Sequence, residues 1–174
     1  MKKIALILAC FLTACNPDRE IATFESPDSE CVPDNDPIDN VCHGALTFNS
    51  KEYTNEENLA LMLGAMQLNN FFGKALVSLT DTQDQQESCH ISIANLEASY
   101  LGIYYESNNN IELDIEQHGT DLALLTNTVS HELLHSLGFV HSVGGLMCSI
   151  VPGHYLNDVD KAQCQSLGLC DASP

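Results

Sequence analysis

Eleven residues constrain this chain more than any others: His131-Glu132-Leu133-Leu134-His135-Ser136-Leu137-Gly138-Phe139-Val140-His141. The spacing is H-E-x-x-H-x-x-G-x-x-H. On a helix of 3.6 residues per turn, His131 and His135 project from one face and can share one metal ion at about 2.0–2.1 Å. Glu132 is turned aside from that pair, beyond ligating reach but near enough to hold a metal-bound water as its general base. Gly138 can take the positive φ that ends a helix, so the chain reverses and brings His141 back to the metal. Three neutral imidazoles leave a fourth position open for water, which suits a catalytic zinc rather than a structural one. The bland alternative is a surface helix that happens to carry histidines. Five fixed positions in eleven, three of them drawn from the chain's seven histidines, argue against it.

The motif and the methionine that follows it resemble the metzincin clan of zinc endopeptidases. Their tight turn, with a Met beneath the metal, is matched by Gly144-Gly145-Leu146-Met147, which ends six residues past His141. Within the clan the likeness is to the matrixins. His141-Ser142 followed by Leu146-Met147 resembles their H-S…L-M stretch at shorter spacing. The run from Leu156 to Leu167 resembles their last helix, with Asp160 and Gln165-Ser166-Leu167 on matching positions. The resemblance covers residues 120 to 168.

It implies an α+β, metzincin-like zincin domain: a mixed twisted sheet, a long N-terminal helix, an active-site helix and a C-terminal helix. It implies one catalytic Zn2+ on His131, His135 and His141, with Glu132 catalytic, Met147 in the Met-turn, and a protein or peptide substrate. Pro152 and Tyr155 fall about three residues from the wall of the matrixin primed-side pocket and are substrate-pocket candidates. Asp160 resembles the helix carboxylate that steadies the matrixin Met loop. Ser149 stands where astacins and serralysins offer a tyrosine, so a fifth protein ligand is not expected.

The runs that supply structural zinc and calcium in matrixins are missing. Ser29-Glu30-Cys31-Val32-Pro33-Asp34 also lacks the Arg and Gly of their inhibitory propeptide. Cys31 therefore reads as a disulfide partner rather than a latency thiol.

The first residues suggest an address. Lys2 and Lys3 precede an apolar stretch from Ile4 to Leu12, too short against the roughly 20 residues that span a bilayer, so it reads as a signal peptide over residues 1–14. Leu12-Thr13-Ala14-Cys15 resembles the bacterial lipobox, which makes Cys15 the lipidation candidate; Ile7-Leu8-Ala9-Cys10 is a weaker second, and an ordinary secreted protein cut near Ala14 is the alternative. Asn16 after the Cys suggests the outer membrane of a Gram-negative-type envelope.

Loss of Lys2 and Lys3 leaves 4 basic residues against 24 acidic ones, a net charge of −20. Such a surface repels nucleic acid and anionic headgroups, so attachment to a membrane falls to the acyl anchor. Past Cys15, six cysteines remain: Cys31, Cys42, Cys89, Cys148, Cys164 and Cys170. An even count outside the cytoplasm suggests up to three disulfides. No C-x-x-C pair offers a thiolate zinc site.

Residues 15–42 are rich in Pro, Asp, Asn and Ser and read as a flexible tether. Asp34-Asn35-Asp36-Pro37-Ile38-Asp39 has carboxylates for calcium but lacks the Gly and Glu of an EF-hand loop, and reads as solvated linker. Residues 43–174 then suit one catalytic domain, expected as a monomer. Strands are expected at Gly44–Asn49, Lys74–Thr80, Cys89–Asn95, Tyr100–Glu106 and Ile111–Ile115. A helix is expected from a Thr54/Glu57 capping box to Phe72, with Leu59, Leu63, Met66 and Phe71 as its core stripe. A second helix should open near Thr120 or Asp121 and run to Gly138. The resemblance also implies an edge strand above the metal that pairs with extended substrate; Tyr100–Glu106 is the candidate, and an ordinary buried strand is the alternative. His43, His90, His118 and His154 read as exposed or hydrogen-bonded histidines. The competing functional reading is a zinc-binding envelope lipoprotein that binds peptides without cleaving them.

Overall fold

The computed structural model describes residues 31, 33, 37–82, 89–96, 100–148 and 155–171. Thr54 and Glu57 cap each other: the Glu57 N–H donates to Thr54 Oγ1 at 3.3 Å, and the Thr54 N–H donates to the Glu57 carboxylate at 2.7 Å. They start helix α1 (Asn55–Phe72), which ends where Gly73 turns at φ +66°. Before it comes β1 (Ala45–Phe48), and after it β2 (Ser78–Asp81), β3 (His90–Ile93), β4 (Gly102–Tyr105) and β5 (Asn110–Leu113). Then follow α2 (Ile115–His118), α3 (Leu122–Ser136) and α4 (Asp158–Ser166).

These elements make an α+β fold with a mixed five-stranded sheet of order β2-β1-β3-β5-β4. The first four strands in that order run parallel; β4 pairs antiparallel with β5, and no strand lies on its outer side among the described residues. Leu46, Phe48, Ile91, Ile111 and Leu113 join Leu61, Leu68, Val129, Leu133 and Leu134 in the core between sheet and helices.

Four expectations need correction. The stripe of Leu59, Leu63 and Met66 is not core: these residues are 49%, 37% and 53% exposed, and Phe71 is half-buried. Helix α1 instead buries Ala60, Leu61, Gly64, Ala65 and Leu68. The reason is steric. A Cβ at Gly64 would stand 2.7 Å from Val129 Cγ1, so only the small-residue face lets α1 come this close to α3.

The second correction concerns Lys74–Thr80, where pairing begins only at Ser78. Asn69 takes the preceding backbone groups: its Oδ1 accepts from the Leu76 and Val77 N–H at 2.7 and 2.9 Å, and its Nδ2 donates to the Val77 carbonyl at 2.8 Å. Third, β5 stops at Leu113 because Asp114 caps α2, its Oδ1 accepting from the Gln117 N–H at 3.1 Å. The Asp-x-x-Gln spacing carried that signal. Fourth, α3 ends at Ser136, two residues short of Gly138.

Three disulfides among the described residues close the fold: Cys31–Cys148, Cys42–Cys89 and Cys164–Cys170. The far end of the expected tether is thereby attached as a strap. Besides the Cys31 bond, the Asp39 N–H donates to Glu106 Oε2 at 3.3 Å and the Tyr104 hydroxyl to the Asn40 carbonyl at 2.7 Å. Cys15, the signal stretch and Asp34, Asn35 and Asp36 of the Asp34–Asp39 tract lie outside the described residues.

Candidate metal centre

Helix α3 opens at its N-cap Asp121, whose Oδ1 accepts from the Leu124 N–H at 2.9 Å. Its last two turns carry His131, Glu132 and His135. Leu137 caps the helix and Gly138 turns at φ +95°, a conformation that disfavours any side chain. The chain then returns with His141. The three imidazoles converge: His135 Nε2 lies 3.2 Å from His131 Nε2 and 3.1 Å from His141 Nε2. Among the described residues this is the one group of three or more metal-ligating side chains.

The other ring nitrogens decide what those Nε2 atoms are. His131 Nδ1 is 2.7 Å from the Leu146 carbonyl and His135 Nδ1 is 2.8 Å from the Phe139 carbonyl. A carbonyl can only accept, so each Nδ1 carries the proton. In the neutral rings both Nε2 atoms therefore present lone pairs, and two lone pairs at 3.2 Å repel unless a cation lies between them. Nitrogens about 2.0–2.1 Å from one tetrahedral ion stand about 3.3–3.4 Å apart, close to the spacing seen. The donor set fits a metal ion. Burial keeps the rings neutral: it holds His131 down to about 4, and it pulls His135 well below the usual range, with the neighbouring histidines adding to the effect. Protons therefore compete weakly for the ligand atoms at neutral pH.

Glu132 is 5% exposed and lies under the edge strand. Its carboxylate accepts from the Tyr104 backbone N–H, but burial dominates and pushes the carboxyl up to about 8. Gly102 makes this approach feasible, since a Cβ there would come within 2.9 Å of both Glu132 Cγ and Thr128 Cγ2. Gly102 escaped the sequence reading, although a glycine inside a strand signals close backbone approach.

Met147 is fully buried. Its loop is held from α4, where Asp160 accepts from the Leu146 N–H at 3.1 Å and the Met147 N–H at 3.4 Å. Burial raises the Asp160 carboxyl in spite of these bonds. The Leu146 peptide thus links Asp160 on one side to His131 on the other.

Tyr155 is 75% exposed, and Pro152 and His154 lie outside the described residues. His118 is buried, with Nδ1 donating to the Asp114 carbonyl at 2.6 Å and Nε2 3.0 Å from Thr128 Oγ1, so it is engaged in packing α2 on α3. His90 Nδ1 lies 3.1 Å from Thr47 Oγ1, and His43 is exposed. Compared with known families and curated proteins, no family model and no curated sequence matches this chain.

Proposed function

We propose that this chain is a zinc-dependent endopeptidase acting outside the cytoplasm. The observation that carries the reading is the convergence of three histidine Nε2 atoms with Glu132 on the same helix, buried against an edge strand. Held by His131, His135 and His141, Zn2+ would lower the pKa of a water from about 15.7 toward about 7 and polarise the scissile carbonyl. Glu132 takes the proton of the attacking water and returns it to the leaving amine. In the metal-free site burial pushes its carboxyl up to about 8, which suits return of the proton; the charge of a bound cation would lower it and free the carboxylate for the first step. Backbone groups along the outer side of β4 receive an extended peptide by strand addition. Met147 and its loop hold the floor of the site.

Three disulfides support an oxidising compartment. The lipobox-like Leu12–Cys15 supports an acyl anchor on Cys15 in a bacterial envelope, at the outer membrane. The acidic surface disfavours nucleic acid as a partner.

The test is incubation of the purified protein with a diverse peptide library and zinc, beside Glu132→Ala and a chelated sample. Cleavage that disappears in both controls supports the reading. One zinc bound per chain without cleavage shifts it to an envelope lipoprotein that binds peptides and leaves them intact.

A further inference from the structure

Gln163 sits on α4 beside the loop that delivers the third histidine. Its Nε2 donates to the Val140 carbonyl at 3.2 Å, one residue before His141. Its Oε1 is buried and has no hydrogen-bond partner among the described residues. An orphaned buried acceptor works against folding. A methionine or leucine would fill similar volume without that cost. As a packing residue the amide is a poor choice; as a grip on the Val140 carbonyl it is a good one.

The stretch it grips needs holding. After Ser136 the helix is over, Gly138 reverses the chain, and Phe139 is tied back by its N–H to the Leu134 carbonyl at 3.0 Å. The Phe139 carbonyl meanwhile receives His135 Nδ1. Val140 is the last residue before the ligand, and its carbonyl fixes the peptide plane from which His141 departs. On the same helix, three residues earlier, Asp160 holds the Leu146 peptide whose carbonyl receives His131. Helix α4 therefore braces two separate histidines through backbone groups.

We propose that Gln163 is a positioning residue for His141: its grip on the Val140 carbonyl sets the aim of the third metal ligand. The proposal rests on the metal-centre reading. It separates two properties that a packing residue would move together, metal affinity and metal-free stability.

The test titrates the metal-stripped protein with Co2+ and Zn2+ beside Gln163→Met, Gln163→Leu and Gln165→Met. Gln165 lies on the same helix, but its amide goes to the Asp171 carbonyl at 3.3 Å. Both Gln163 variants should bind metal roughly tenfold more weakly, with shifted visible bands for bound Co2+. Their metal-free Tm should stay within about 2 °C of wild type, where loss of a packing residue would move it by several degrees. Gln165→Met should match wild type in both. Unchanged affinity and bands in both Gln163 variants would overturn the proposal, as would weakened binding accompanied by an equally large loss of metal-free stability. A wild-type chain that binds no metal, indistinguishable from His141→Ala, would overturn the centre itself.

Discussion

Helices α1 and α3 pack against each other, yet they bury opposite kinds of surface. Helix α1 buries Ala60, Leu61, Gly64, Ala65 and Leu68 and leaves Leu59, Met62, Leu63 and Met66 in solvent. Helix α3 buries Thr128, Ser130, Glu132 and Ser136 along with its leucines. Each of those polar groups has a partner. Thr128 Oγ1 donates to the Leu124 carbonyl, Ser130 to the Thr126 carbonyl, Ser136 to the Leu133 carbonyl, and Glu132 accepts from Tyr104. A helix that only packs can leave apolar residues outside at little cost. A helix that aims a carboxylate must spend its buried positions on polar groups and hold each one. The polar side of α3 reaches α1 where Ser130 Oγ approaches the Gly64 carbonyl at 3.3 Å, an approach that Gly64 allows because it has no side chain.

The largest effect should come from the polar side of that contrast. Glu132→Gln should lower peptidase turnover about 100- to 10,000-fold while retaining bound metal, read by steady-state kinetics and metal analysis. Normal turnover in that variant would place the chemistry elsewhere. Next, Gly64→Val forces a side chain into Val129 and should cost about 1–3 kcal/mol in urea unfolding. An unchanged midpoint would mean that the helices can separate freely.

The third expectation concerns pH. Folding raises the Glu132 carboxyl from 4.5 to about 8, so the folded state holds a proton that the unfolded chain has released. Metal-free stability should therefore fall as pH rises between those values, and Glu132→Gln should remove that decline. The clean window is above about pH 7.5, a unit above the 6.5 of an unfolded imidazole, because His118, His131 and His135, depressed by folding, are neutral there in both states. Below it their stabilising contribution is lost as the unfolded chain gains protons. Matching unfolding slopes for both proteins across about pH 7.5–9 would contradict this account. The smallest effect belongs to the outer face of α1: Leu63→Gln and Met66→Gln should each stay within about 0.5 kcal/mol of wild type. A larger loss in either would show that this face is covered in solution.

The same contrast explains what could be read from the sequence. The histidine spacing fixed its own geometry, because residues four apart on a helix share a face whatever surrounds them. The Thr54 cap was equally local. The buried face of α1 was not, since residues 59–68 carry two apolar stripes and periodicity cannot rank them. The choice fell to Gly64 and the neighbouring alanines, whose value depends on Val129, 65 positions away. Asn69 hid its effect on Leu76 and Val77 in the same way: a side chain substituting for a strand partner leaves no periodic trace. The cysteines announced disulfides, but their pairing needed the fold.

The bond between Cys31 and Cys148 also makes the strap a matter of mechanics. A pull on the chain upstream of Cys31 enters the domain through sulfur at residue 148, next to Met147. Tension therefore bypasses Asp39, Asn40 and the hydrogen bonds they share with β4 and its turn. A single cut in the backbone between residues 32 and 41 would leave the molecule in one covalent piece. Any surface that holds the N-terminal end has the Met147 loop on a leash measured from residue 31, not from residue 42.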